Sequence, residues 1–147
     1  MKLTPKKLKV SANINMAYVI NYLNKYLNYS YERAFKEFIA TQCFFELADL
    51  RSGLCTAMSP EVLFLFEEDS NIELKEDDAK ISGAFEIEPK LQYLVNMSEA
   101  FREEKRIKPE KYSEYISKHN IWHRLENEYE VLSAMKREEV INALADK

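Results

Sequence analysis

Glycine and proline are scarce: the 147 residues include two of the first and four of the second. Turn-rich β architectures need far more of these punctuators, so sandwiches and barrels are excluded and helices favoured. Two glycines are also too few for a phosphate-cradling loop, and the sequence holds neither a P-loop nor a dinucleotide-binding fingerprint. Cysteine is equally sparse. Cys43 and Cys55 cannot make a disulfide scaffold, and the opening MKLTPKKLKV lacks the apolar stretch of a secretion signal. These absences set the expectation of a cytoplasmic protein with free thiols. No run approaches the roughly 20 apolar residues that a spanning helix requires, so no membrane partner is expected.

What is present is aromatic and charged. Hydrophobic residues make up 46% of the chain, with nine Tyr, eight Phe and one Trp, enough apolar area for one sizeable core. The net charge of −4 is unevenly spread. Residues 1–66 carry eight Lys and Arg against five acids, residues 67–89 carry two against nine, and residues 90–147 carry eleven against eleven. Only Lys2, Lys6, Lys7 and Lys9 concentrate positive charge, which argues against nucleic acid as a partner. A DNA-binding regulator using that basic arm is kept as an alternative.

Residues 16–66 return weakly as residues 91–144. Tyr18-Val19-Ile20-Asn21 is echoed by Tyr93-Leu94-Val95-Asn96, Tyr31 to Ala40 by Lys108 to Ser117, and Thr56-Ala57-Met58 by Ser133-Ala134-Met135. The offset drifts from 75 to 78, so the insertions fall in short loops between matched elements. The spacing of Met16, Val19, Ile20, Leu23 and Leu27 predicts a helix over 14–28 capped by Asn13. Ser30 opens a second helix, and a third stops at Gly53. Residues 54–58 read as extended, and Ser59-Pro60 starts a buried helix with serine as its cap. The second unit opens after Pro89, restarts at Pro109 and again at Asn120. The predicted fold is all-α: two tandem, similar helical units packed as one bundle. Its parts are a basic arm over 1–12, a first unit over 13–66, an acidic linker over 67–89 with room for a short extended segment around Gly83, and a second unit over 90–147. The shared core is expected around Phe44, Phe45, Leu47, Phe64, Trp122, Leu125 and Leu132.

Catalytic signals are thin. His119 and His123 are four apart, a spacing that places two imidazoles on one helix face, but Asn120, Ile121 and Trp122 between them supply no glutamate base and no third ligand is marked. A metal-dependent hydrolase using this pair is the enzymatic alternative; no metal, cofactor or catalytic residue is assigned. Cys43 sits among Phe44, Phe45 and Leu47 as a small apolar residue. Tyr18, Tyr22, Tyr26 and Tyr29 form a stripe that serves either as the edge of the core or as a partner surface. Tyr22, Tyr26 and Tyr29 are therefore candidate partner-binding residues. So are Glu67, Glu68, Asp69, Glu76, Asp77 and Asp78, whose clustered charge would attract a basic cleft.

The second unit carries an opening aromatic-rich helix, a proline restart followed by Tyr115-Ile116, the Tyr-x-Val-Leu segment Tyr129 to Leu132, and a closing helix rich in Val and Ile. In this it resembles a small uncharacterised all-helical bacterial family encoded beside genes for ADP-ribosyltransferase-like proteins and suspected of an antitoxin role. The first unit, with its Ser-Gly-Leu turn and Ser-Pro-Glu restart, resembles a divergent relative. Where that family commonly has histidine after Tyr-x-Val-Leu, this chain has Ser133, and no active site carries over. The resemblance implies a neutralising or accessory protein whose partner is another protein, a toxin or enzyme with a basic cleft. Self-association is left open.

Overall fold

Thr4 and Pro5 start the first helix. The Thr4 side chain accepts a hydrogen bond from the Lys7 amide at 3.2 Å, and Pro5 occupies the first helical position, where its missing N–H is no loss. Helix α1 therefore spans Pro5–Leu27, and the basic segment expected as a solvated arm is its first two turns. The computed structural model describes residues 4–72 and 86–145. After α1 come α2 (Tyr31–Ile39), α3 (Gln42–Ala48), a 3₁₀ turn (Leu54–Thr56) and α4 (Ser59–Ser70). The chain continues with α5 (Pro89–Glu104), α6 (Pro109–Lys118), α7 (Ile121–Asn127), α8 (Tyr129–Leu132) and α9 (Arg137–Ala145). Among the described residues there is no strand, and the fold is all-α. The extended segment expected around Gly83 lies outside them, apart from its end at Ile87. No described helix is long and apolar enough to cross a membrane.

Helix α1 is the axis of the packing. Every residue from Asn15 to Leu23 is buried, because α2, α3, α4, the 3₁₀ turn and α5 all lie against it. Helix α5 runs antiparallel to α1: Lys9 meets Glu99, the Asn13 carbonyl accepts from Gln92, and Asn21 donates to the Glu86 carbonyl. A second line of contact is aromatic. Phe35 of α2 stacks on Trp122 of α7 at 4.2 Å and meets Tyr112 of α6 edge-on at 6.1 Å, while Phe38 meets Phe44 of α3 at 5.5 Å. Burying each of these rings is worth about 1.5–3 kcal/mol, so one continuous core holds both halves. Leu47, Leu125 and Leu132 join that core as expected, whereas Phe45 is half-buried and Phe64 is exposed at 44%.

The two halves pass through the same order of elements: two helices, a short helix, a single turn and a final helix. Their packing is not equivalent. Helix α1 is surrounded by α2, α3 and α4 of its own half, whereas α5 lies against α7 and α9, and α6 takes α2 and α3 of the other half as its main neighbours. Each opening helix ends in a left-handed residue, Asn28 at φ 59° and Arg106 at φ 56°. At the second end the Ile107 amide returns to the Arg102 carbonyl and the Arg106 amide to Glu103, closing a Schellman motif.

Candidate functional site

The polar groups inside the bundle mark where it is specialised. On α5, Glu99 is 2% exposed and Arg102 6% exposed, three residues apart on one face. The Arg102 Nε and one terminal nitrogen both donate to the Glu99 carboxylate at 2.9 Å, and the other terminal nitrogen donates to the Ile107 carbonyl at 2.8 Å. Lys9 crosses from α1 to reach Glu99 at 2.5 Å and Glu103 at 3.4 Å. Burial pushes the Glu99 carboxyl upward in pKa, but Lys9 and Arg102 outweigh it and hold the group below its ordinary value. Beside them the Tyr112 hydroxyl lies 2.6 Å from Ser98 Oγ, and burial raises its phenol well above the usual range. The sequence reading missed this network. Its signal was there: an acid and a base three apart, interleaved with the apolar Ala100 and Phe101 of the same helix.

On the outer side of Lys9, α1 and α5 line a groove of about 540 Å³. Val10 and Ile14, one turn apart on α1, are 55% and 45% exposed on its wall. Leu50 and Ala100 add apolar surface, and Lys6 and Arg137 stand on its rim. Asn13 lines the same groove and is buried, and its side-chain oxygen has no hydrogen-bond partner. Gln92 crosses the groove by donating to the Asn13 carbonyl and to Asn96.

The tyrosine stripe is placed differently from the partner-surface expectation. Tyr22 is fully buried and stacks on Tyr26 at 4.9 Å, so it cannot anchor a partner; the central position of α1 leaves it no outer face. Tyr26 and Tyr29 are half-buried, and the Arg33 guanidinium covers the Tyr29 ring at 3.8 Å. Among the acids, Glu67, Glu68 and Asp69 belong to the last turn of α4 rather than to a linker. Asp69 is structural: its carboxylate accepts the Cys43 amide at 2.7 Å and thereby caps α3. Glu68 is exposed and Glu67 half-buried. Glu76, Asp77 and Asp78 lie outside the described residues.

The histidines are separated by a break between helices. Helix α6 stops at Lys118, and α7 restarts at Ile121, so the four-residue spacing does not place the imidazoles on one helical face. His119 stacks on Tyr115 at 4.1 Å, while His123 faces Glu32 at 3.3 Å and Asn127 at 2.7 Å. No group of three His, Cys, Asp or Glu among the described residues is arranged to hold a metal. Cys43 and Cys55 are both buried, and burial pushes the Cys43 thiol up to about 12, which leaves it protonated and unreactive near neutral pH. No protein-family model, curated protein or solved structure matches this chain.

Proposed function

We propose that the chain is a non-enzymatic protein-binding module, acting in the cytoplasm as the neutralising or accessory member of a bacterial gene pair. The observation that carries this reading is the groove between α1 and α5. Two large aliphatic side chains stand exposed there, one helical turn apart, beside Lys6 and Arg137, which form no ion pair among the described residues. Isolated exposed aliphatics are ordinary on a protein surface, but paired ones lining a concave groove are the usual form of a site for another protein. The gene-pair part of the reading rests on the family resemblance of the second half. The acidic run from Glu67 to Asp78 supports it through charge, since such a run speeds encounter with a basic surface.

Co-expression with the product of the adjacent gene tests the proposal. The expected result is a 1:1 complex on gel filtration in which the neighbour's activity or toxicity is suppressed. The proposal is overturned by a chain that leaves the neighbour active and free, or by a hydrolytic activity that survives repurification and disappears in a His119→Ala, His123→Ala double variant.

A further inference from the structure

We propose that the groove between α1 and α5 is the docking site for an acidic amphipathic helix of a protein partner, a helix about three turns long. The inference rests on the protein-binding reading and adds the place and chemistry of the contact. Length comes from the walls. The groove runs along positions 5–14 of α1 and 92–103 of α5, which at 1.5 Å per residue is roughly 14–17 Å, or about three helical turns. Shape favours a helix because the walls are two antiparallel helices, and a third laid between them continues the packing of the bundle.

Charge selects the sign of the partner. Lys6, Lys9, Arg102 and Arg137 stand in or directly beneath the groove against two carboxylates, Glu99 and Glu103. Both carboxylates are already matched by Lys9, and Glu99 by Arg102 as well, so the excess charge is that of Lys6 and Arg137 on the rim. The groove also opens at the amino end of a 23-residue helix that has no acid in its first turn. Its dipole adds to the attraction for carboxylates. Between the cations the wall is aliphatic at Val10, Ile14, Leu50 and Ala100, which a nucleic-acid backbone would leave uncovered but the apolar stripe of a helix would bury.

Selection from a displayed library of 14-residue helices, against the full-length chain and in low salt, tests the assignment. The library fixes Leu at helical i, i+3, i+7 positions and randomises the flanks among Glu, Lys, Gln and Ala. Selected peptides are expected to be enriched in Glu and to bind saturably. Affinity should fall at least tenfold in the Val10→Asp, Ile14→Asp double variant, whose circular dichroism is unchanged. It should fall similarly in Lys6→Glu, Arg137→Glu, which should in turn retain Lys-flanked peptides. Failure to recover any saturable binder overturns the proposal, as does enrichment without acidic bias or binding indifferent to Val10 and Ile14. Two other occupants are read from the same proteins: a dimer in sedimentation equilibrium lost on Ile14→Asp, or binding of a DNA duplex lost on Lys6→Glu, Arg137→Glu, also overturns it. A neighbour complex unaffected by both variants sinks the docking site and leaves the proposed function standing. Acidic helices that bind the groove when no neighbour complex forms do the reverse.

Discussion

The two halves of the chain bury polar groups by different means. In the first half the buried polar residues are neutral. Asn15 donates to the Cys55 and Ala57 carbonyls and accepts from Ser59, which pins the 3₁₀ turn and the start of α4 to α1. In the second half they include, besides Ser98, an ion pair: Glu99 and Arg102 neutralise each other and draw Lys9 from the opposite half. A neutral amide can donate to backbone carbonyls, as Asn15 does at Cys55 and Ala57 and Asn21 at Glu86. A buried carboxylate must be matched by charge, and here the match spans both halves. The neutral groups of Asn15 fix loops onto α1, whereas the ion pair adds a charged tie to the aromatic core that already joins the halves.

The largest expected effect tests the ionic side. Glu99→Ala leaves Lys9 and Arg102 without their shared partner, and urea unfolding should show a loss of about 3–5 kcal/mol. Glu99→Gln sharpens the point through pH. The carboxyl is held below its ordinary pKa in the folded chain, so its stabilisation is fully present above the ordinary carboxylate range and is lost as pH falls through the folded value. The Gln variant should therefore lose less stability on acidification than wild type. If the two fall in parallel, the network is not the acid-sensitive joint.

On the neutral side, Asn15→Ala removes three hydrogen bonds but strands no charge. It should cost about 1–3 kcal/mol in the same unfolding measurement, less than the loss of Glu99, and its effect on amide exchange should be confined to residues 54–60. A loss as large as that of Glu99→Ala would erase the distinction between the halves. Helix ends offer a smaller contrast. Asn tolerates the left-handed region at residue 28, whereas Arg106 pays for it sterically, so Arg106→Gly should raise stability by about 1 kcal/mol. The smallest effect is expected at the surface bridge between halves: His123→Ala should change stability by no more than about 0.5 kcal/mol, since His123 is exposed and Glu32 only half-buried, which leaves the pair to solvent screening.

Much of the helical order was legible, and the misreadings have physical causes. Ser30 and Pro109 start helices where the sequence placed them, because a capping hydroxyl and a first-turn proline act locally. Ser59 was read as a cap, yet it sits inside α4 and spends its hydroxyl on Asn15, a partner 44 positions away. The start of α1 was set nine residues late. Thr4 and Pro5 form a sufficient start signal, but the lysines that follow resemble a solvated tail until Glu99 is seen opposite Lys9. Tyr22 was a candidate contact because helical periodicity reveals one apolar face and says nothing of a helix enclosed on every side. The groove depends on where α5 and α9 fall beside α1, which no local pattern encodes.

The tie between Lys9 and Glu99 joins positions 90 residues apart. Closing so long a loop has a high entropic cost until the intervening helices are already in place. The contact therefore belongs to the last stages of folding and is weakly formed at the rate-limiting barrier. Interactions of that kind govern how slowly a protein opens rather than how fast it assembles, so this one acts as a latch on the finished bundle: Lys9→Met should accelerate unfolding and leave the refolding rate nearly unchanged.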